Sequence, residues 1–180
     1  MFKETSKELL DFLSKSPTAF HAVENYRQIL NADGFKELLE SEHWDIVPGG
    51  KYYVTRNNTS ILAFKVGTKL DNYSFNIVTS HTDSPTFKVK ENAEIEVKNK
   101  YTQLNTEGYG GMLCATWLDR PLSIAGRVLV SEGNSIVTKL LNIDRDLLMI
   151  PNVAIHMNRA ANDGFKYNLQ VDMLPLLSAG

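Results

Sequence analysis

The chain has 180 residues and a formal net charge of −2, and 43% of its residues are hydrophobic while 22% are charged. This length and composition suit one compact domain or two small ones, and they exclude a wholly disordered chain. The small net charge, with Lys and Arg scattered along the chain, argues against nucleic acid or an anionic membrane as a partner. Small molecules or peptides are the expected partners.

The expected compartment follows from the cysteine content and the N-terminal sequence. Cys114 is the single cysteine, so an internal disulfide is excluded. The first residues show no basic-then-apolar signal sequence, and no apolar run approaches the roughly 20 residues that a transmembrane helix requires. We therefore expect a soluble, cytoplasmic protein.

Two amphipathic helices are predicted at the start of the chain. Thr5 to Glu8 has the spacing of a capping box and precedes an apolar stripe, which places the start of the first helix there. Ser16 is the expected N-cap of the second helix, with Pro17 at its first position, and Gly34 is expected to end it. Residues 36–42 resemble a further short helix.

A change to period two predicts strands over residues 51–56, 61–66 and 74–80. Asn57 and Asn58 supply the turn between the first two strands. Helices followed by strands in this order favour one edge of an α/β layer over an all-β barrel. The fold class predicted for this first part is therefore α/β.

The third of these strands leads directly to His81 and Asp83. If it belongs to an open α/β sheet, both residues lie at its carboxyl end, where such sheets bind ligands. Their spacing of two points both side chains the same way in an extended chain, so Asp83 could orient the imidazole for a metal or bind metal itself. The pattern alone equally allows a hydrogen-bonded structural histidine.

The second part of the chain is predicted to be mostly β. Residues 87–90 and 94–98 alternate apolar and charged side chains, and residues 122–130 and 135–143 flank a short hairpin loop. We place a domain boundary near residue 86, which divides the chain into residues 1–85 and 86–180. The glycine-rich residues 106–111 favour a turn before a buried apolar segment, residues 112–118, over a nucleotide site.

His156 is the second histidine of interest, because it ends another apolar run that reads as extended. It could form half of a zinc site with His81, hold a substrate carbonyl or carboxylate, or be structural. These alternatives stay open on the residues alone.

Several separated stretches resemble the aspartyl aminopeptidase family, the zinc-dependent metalloaminopeptidases that remove acidic N-terminal residues. The matching stretches occur in the family's order over nearly the whole chain: residues 16–23, 44–67, 80–85, 109–111 with 117–120, 125–128 and 151–159. The resemblance implies an α/β zinc-peptidase domain, of which residues 1–85 are the N-terminal part. It also implies that residues 86–180 belong to a mostly β dimerisation domain, incomplete here.

The resemblance assigns roles to three residues. His81 is implied to be a zinc ligand, and Asp83 the catalytic carboxylate that holds it. His156 is implied to reach an active site across a subunit interface, as a zinc ligand or as a substrate contact, and we favour substrate. The implied full enzyme binds two zinc ions per active site and assembles as a homodimer and a dodecamer.

The sequence also departs from the family pattern. The family's further ligands and its general-base glutamate follow the inserted domain as adjacent glutamates, whereas this chain contains no Glu-Glu pair. We therefore expect the N-terminal portion of such an enzyme, inactive alone, with an empty or weakly occupied metal site. The alternative is a non-catalytic dimerisation or interaction fragment.

Overall fold

The computed structural model describes residues 2–72 and 74–179 and shows a mixed α/β protein. The chain divides into two compact units: residues 1–83 with 125–142, and residues 84–124 with 143–180. The helices and strands, in chain order, are α1 (Phe2–Ser14), α2 (Ala19–Ala32), β1 (Lys36–Glu37), β2 (Lys51–Arg56), β3 (Ser60–Lys65), β4 (Thr86–Val97), β5 (Tyr101–Tyr109), β6 (Ala125–Glu132), β7 (Ser135–Asn142) and β8 (Leu176–Ala179).

Both predicted N-terminal helices form, but each begins at a different residue than expected. Helix α1 begins at Phe2, so Thr5 lies inside the helix and the predicted capping box is wrong. Helix α2 begins after Thr18, whose extended backbone and side-chain oxygen cap the helix by accepting from the His21 amide at 3.4 Å. Thr18 rather than Ser16 is therefore the N-cap.

The first unit contains a three-stranded sheet in the order β1-β2-β3. Strands β2 and β3 pair antiparallel as predicted, and Asn57 and Asn58 turn the chain with φ near +50°, a conformation that asparagine tolerates. The predicted helix over residues 36–42 is wrong, because Lys36 and Glu37 instead pair parallel with β2. Tyr53 of β2 is 1% exposed, and its hydroxyl donates to Asn31 Oδ1 at 3.0 Å, which joins the sheet to α2.

Residues 74–80, called the exposed segment below, do not form the predicted strand. They belong to no strand of the described sheets, and every one of them is exposed to solvent. Val78 is 98% exposed and Ile77 is 77% exposed. The alternating pattern is present, but the described part of the chain supplies no strand to pair with it.

Strands β6 and β7 form a two-stranded hairpin that groups with the first unit. Their two-residue loop contains Gly133 at φ +60°, and the predicted hairpin is confirmed with strand ends shifted by up to three residues. The predicted boundary near residue 86 therefore does not describe the compact units fully, because residues 125–142 group with the N-terminal unit. The roles predicted for residues 1–85 and 86–180 stay predictions.

The second unit is built on a sheet in the order β4-β5-β8. The two charged, alternating stretches predicted as separate strands form one strand, β4, with a register shift between Val89 and Glu94. The core contains Ile150 and Met173, both fully buried, together with Leu104, Leu148 and Leu174. Among the described residues, no helix has the length and apolar character needed to cross a bilayer.

The glycine-rich stretch is only partly a turn. Thr106 to Tyr109 lie in β5, and the chain bends only at Gly110 and Gly111, with Gly110 at φ +77°. Gly108 packs against Leu169, because a β-carbon at this position would come within 2.6 Å of Leu169 Cδ1. The segment predicted to be buried after it contains a short 3₁₀ helix, Cys114–Trp117, and Leu113 is 77% exposed.

Candidate metal-binding residues

His81 and Asp83 are close together, as their spacing predicted. The His81 Nδ1 lies 2.7 Å from the Asp83 backbone carbonyl oxygen and 3.3 Å from Asp83 Oδ1. Both oxygens are acceptors, so Nδ1 carries the proton and donates, which leaves Nε2 with its lone pair available to a metal. The contact is suited to orient the imidazole, although the shorter bond goes to the backbone rather than to the carboxylate.

The neighbouring Thr82 fixes this bend to the turn between β2 and β3 in the first unit. Its hydroxyl donates to the Thr59 carbonyl, in that turn, at 2.7 Å. The His81 side chain remains 80% exposed. The imidazole is therefore held at its base and open at its Nε2 edge, so further ligands can approach it from solvent.

His156 lies in the second unit and not at the end of an extended segment. Residues 154–157 form a turn closed by a bond from the Met157 amide to the Ala154 carbonyl at 2.8 Å. Upstream, the Asn152 amide donates to Asp119 Oδ1 at 2.8 Å, which anchors the start of the loop. The prediction that His156 ends an extended run is wrong at the histidine itself, because residues 155–157 form a turn. His156 itself is exposed.

The described residues do not form a complete zinc site. Among residues 2–72 and 74–179, no three His, Cys, Asp or Glu side chains are grouped so that they could hold a metal ion. A catalytic zinc takes about three protein ligands. His81 as a zinc ligand therefore stays a prediction.

A polar cluster that the sequence did not predict lies where β6 meets α2 in the first unit. The Arg127 guanidinium lies over the Phe20 ring, 4.4 Å from its centroid, and Nη1 donates to Asn57 Oδ1 at 3.1 Å. These contacts tie the hairpin to α2 and to the β2–β3 turn. All three residues fall in stretches that match the family pattern, and this match was the only indication in the sequence that they matter. Their spacing along the chain did not predict that they are in contact.

Beside this cluster is a small cavity of about 130 Å³, and Arg27 forms one wall. Arg27 donates to Glu24 Oε2 at 3.2 Å and to Glu37 Oε2 at 2.8 Å. Hydrogen bonding to Glu37, supported by its charge, raises the pKa of Arg27 above the ordinary value. Two carboxylates therefore already neutralise the charge of Arg27.

The comparisons with known proteins agree on one group of peptidases. A family model described as "Aminopeptidase I zinc metalloprotease (M18)" matches residues 12–179. A "Probable M18 family aminopeptidase 2" of Clostridium novyi is 51% identical over 175 residues, which are 96% of this chain and 40% of the relative. An "Aspartyl aminopeptidase" of Dictyostelium discoideum is 45% identical over 177 residues, which are 97% of this chain and 36% of the relative.

Solved structures show the same likeness. One described as "Cryo-EM structure of the Ape4 and Nbr1 complex" is 40% identical, with a TM-score of 0.93 over 98% of this chain and 34% of that one. The S. cerevisiae mApe1 dodecamer is 27% identical, with a TM-score of 0.79 over 99% of this chain and 39% of that one. The chain thus spans about 40% of the length of the curated relatives it matches.

Proposed function

The chain belongs to the M18 family of zinc aminopeptidases, and from this premise we propose that it acts as a portion of an enzyme that removes Asp or Glu from peptide N-termini. The observation that carries this proposal is the match over residues 12–179, together with the His81 imidazole held by Asp83 with Nε2 open. The acidic preference is supported by the name of the Dictyostelium relative.

In this proposal His81 is a zinc ligand and Asp83 orients it through the proton on Nδ1. Zinc, when bound, would supply a water that is nucleophilic at neutral pH. His156 contacts substrate, with zinc ligation as the alternative. Because this chain offers one corner of the site, we propose that it has no turnover alone and that two zinc ions bind only in the full enzyme.

We further propose a cytoplasmic homo-oligomer. A structural relative is described as a dodecamer, which supports homo-oligomeric assembly of the full protein. The single cysteine, which leaves no internal disulfide in this sequence, supports a reducing compartment. Small net charge supports peptides rather than nucleic acid as partners.

A chimera tests the function directly. Residues 1–179 replace the aligned segment of the Clostridium novyi relative in one polypeptide, and hydrolysis of aspartyl, glutamyl and leucyl p-nitroanilides is measured. We expect chelator-sensitive cleavage that favours the two acidic substrates. Faster cleavage of the leucyl substrate would contradict the acidic preference. Chelator-sensitive turnover by the 180-residue chain alone, at normal enzyme rates, would contradict its proposed inactivity.

Variants of the chimera assign the residue roles. His81→Ala should lose bound zinc and activity together, whereas the control His43→Ala changes a histidine that is 91% exposed and should keep both. Asp83→Asn should weaken zinc binding by about 10- to 100-fold, the usual cost of losing a group that orients a ligand. His156→Phe should raise KM with zinc retained; a loss of zinc would instead make His156 a ligand.

A further inference from the structure

The tetrapeptide Asp-Gly-Phe-Lys occurs twice in the chain, as residues 33–36 and as residues 163–166, and these are its only Asp-Gly pairs. In both copies the aspartate and the glycine are exposed to solvent. A β-carbon added at either glycine would meet no atom of a non-neighbouring residue within 4 Å. The two copies therefore match in sequence, exposure and space, and a difference in their reactivity must come from how each is held.

An aspartate followed by glycine can isomerise through a cyclic imide, because glycine has no side chain to shield its amide nitrogen. That nitrogen attacks the side-chain carboxyl carbon, a C–N bond forms, and the carboxyl hydroxyl leaves with the amide proton as water. Water then opens the imide at its main-chain carbonyl, which breaks the original peptide bond and leaves isoaspartate. Ring closure requires the carboxyl group and the following peptide to rotate towards each other.

The first copy is held against this rotation. Asp33 is the C-cap of helix α2, and the Gly34 amide donates to the Asn31 carbonyl at 3.1 Å. Lys51 Nζ donates to Asp33 Oδ2 at 2.8 Å and to the Asp33 carbonyl oxygen at 2.9 Å. One ammonium thus fixes both the side-chain carboxylate and the main-chain carbonyl of the same residue. These bonds must break before the ring can close at Asp33.

The second copy lies in an exposed loop of the second unit. The Asp163 amide donates to the Ala160 carbonyl at 2.9 Å, so the turn is closed just before the reacting pair. Within residues 2–72 and 74–179, neither the Asp163 carboxylate nor the Gly164 amide has a hydrogen-bond partner. The carboxyl group and the attacking nitrogen are therefore both free to rotate.

We propose that Asp163 is an isoaspartate-forming site and that Asp33 is the protected copy of the same sequence. The product carries an additional methylene group in its main chain at residue 163 and presents a free α-carboxylate. Isoaspartyl methyltransferases esterify such a carboxylate with the methyl group of S-adenosylmethionine, so the aged chain becomes a substrate for a repair enzyme of this class. The reaction needs neither metal nor peptide substrate, and the site is therefore independent of the proposed function.

Ageing of the folded 180-residue chain tests this, with the two copies compared in one sample. Trypsin releases residues 28–36 and 160–166, each with one Asp-Gly pair, and electron-transfer fragmentation measures isoaspartate in each peptide. Isoaspartate should accumulate at least about tenfold faster at Asp163 than at Asp33, because the bonds at Asp33 include hydrogen bonds to a charged group. An isoaspartyl methyltransferase with labelled S-adenosylmethionine should label the aged chain within residues 160–166.

Urea provides the matched control, because unfolding removes the restraints from both copies. In the unfolded chain the two rates should agree within about twofold, since neither pair is then held by folded structure. Lys51→Met should raise the rate at Asp33 in the folded chain by roughly two- to fivefold, the range expected for an exposed ion pair, and leave Asp163 unchanged. Asp163→Glu should abolish methyl labelling of residues 160–166, because the larger imide ring of glutamate forms far more slowly.

Equal rates at the two copies in the folded chain would overturn the proposal, since the bonds at Asp33 would then give no protection. Isoaspartate that formed at residue 163 in urea but not in the folded chain would also overturn it, because the loop would then protect Asp163. Methyl labelling that persisted in Asp163→Glu would place the modification at another residue. Peptide hydrolysis by the chimera is measured separately, so failure of the proposed function is distinguishable from each of these results.

Discussion

The first unit contains two stretches that the sequence predicts as strands and that have opposite outcomes. Strand β2 pairs with β3 and buries Tyr52 and Tyr53, whereas the exposed segment leaves Ile77 and Val78 in water. The difference is the location of the partner: β3 follows β2 after a three-residue turn, and the exposed segment has no partner strand within the described chain. A strand-like sequence thus predicts that a stretch is able to pair in a sheet. It does not predict that a partner strand is present in the same chain.

The largest expected effect sharpens this contrast. Tyr53→Ala removes a ring that is 1% exposed and bonded to Asn31, so the free energy of unfolding should fall by about 3–5 kcal/mol. Ile77→Ala, in the exposed segment, should change it by less than about 0.5 kcal/mol. Urea unfolding of the isolated chain measures both.

A further variant separates packing from hydrogen bonding at Tyr53. Tyr53→Phe keeps the ring and removes the hydroxyl that donates to Asn31, so it should cost about 1 kcal/mol. Equal costs for Tyr53→Ala and Ile77→Ala would mean that β2 and the exposed segment do not differ in burial. The contrast between the two stretches would then fail.

Features formed by residues close in sequence could be predicted, whereas contacts between distant residues could not. The β2–β3 hairpin and the proximity of His81 to Asp83 are local, so spacing was enough to predict them. The Arg127 contact with Asn57 joins residues 70 positions apart, and no periodicity reports such a contact. For the same reason the grouping of the β6–β7 hairpin with the first unit was not predicted.

Contacts with residues distant in sequence also limited the prediction of single elements. Lys36 and Glu37 form a two-residue strand because β2 lies beside them, although their sequence resembles a short helix. The loop around His156 has an apolar composition that suits a strand, but its amides bond to Asp119 and to its own carbonyls. In both places tertiary partners outweigh local propensity.

An intermediate effect is expected where the hairpin meets the rest of the first unit. Arg127→Met keeps an apolar side chain of similar length and removes the guanidinium that lies over Phe20 and donates to Asn57. The free energy of unfolding should fall by about 1–2 kcal/mol, from one lost hydrogen bond and one lost cation–π contact. Hydrogen exchange of the β6 and β7 amides should quicken in parallel.

The control for this variant lies on the neighbouring strand. Lys139→Met removes an ammonium that pairs with Glu132, and both side chains are more than half exposed. Exposed ion pairs contribute little, so this change should cost less than about 0.5 kcal/mol. If the two methionine variants were equally stable, the contacts of Arg127 would not stabilise the β6–β7 hairpin against the rest of the first unit.

The smallest effect is a pH dependence at the start of α2. Burial lowers the pKa of His21 below its ordinary value of 6.5, and Nδ1 lies 2.8 Å from the Thr18 hydroxyl that caps the helix. The unfolded chain therefore binds a proton at a higher pH than the folded chain does. The stability contributed by neutral His21 is fully present above pH 6.5 and is lost as the pH falls through the lowered folded value.

Comparison of two histidine variants isolates this contribution from the many carboxylates that also titrate in acid. Unfolding free energies are measured between pH 7.5 and 5 for the parent chain, for His21→Gln and for His43→Gln, whose side chain is 91% exposed. The loss of stability on acidification should be smaller in His21→Gln than in the parent, and unchanged in His43→Gln. If the free energy of unfolding fell with pH by the same amount in all three proteins, burial of His21 would contribute nothing to the stability of the chain. The packing of helix α2 around His21 would then not explain any of its pH dependence.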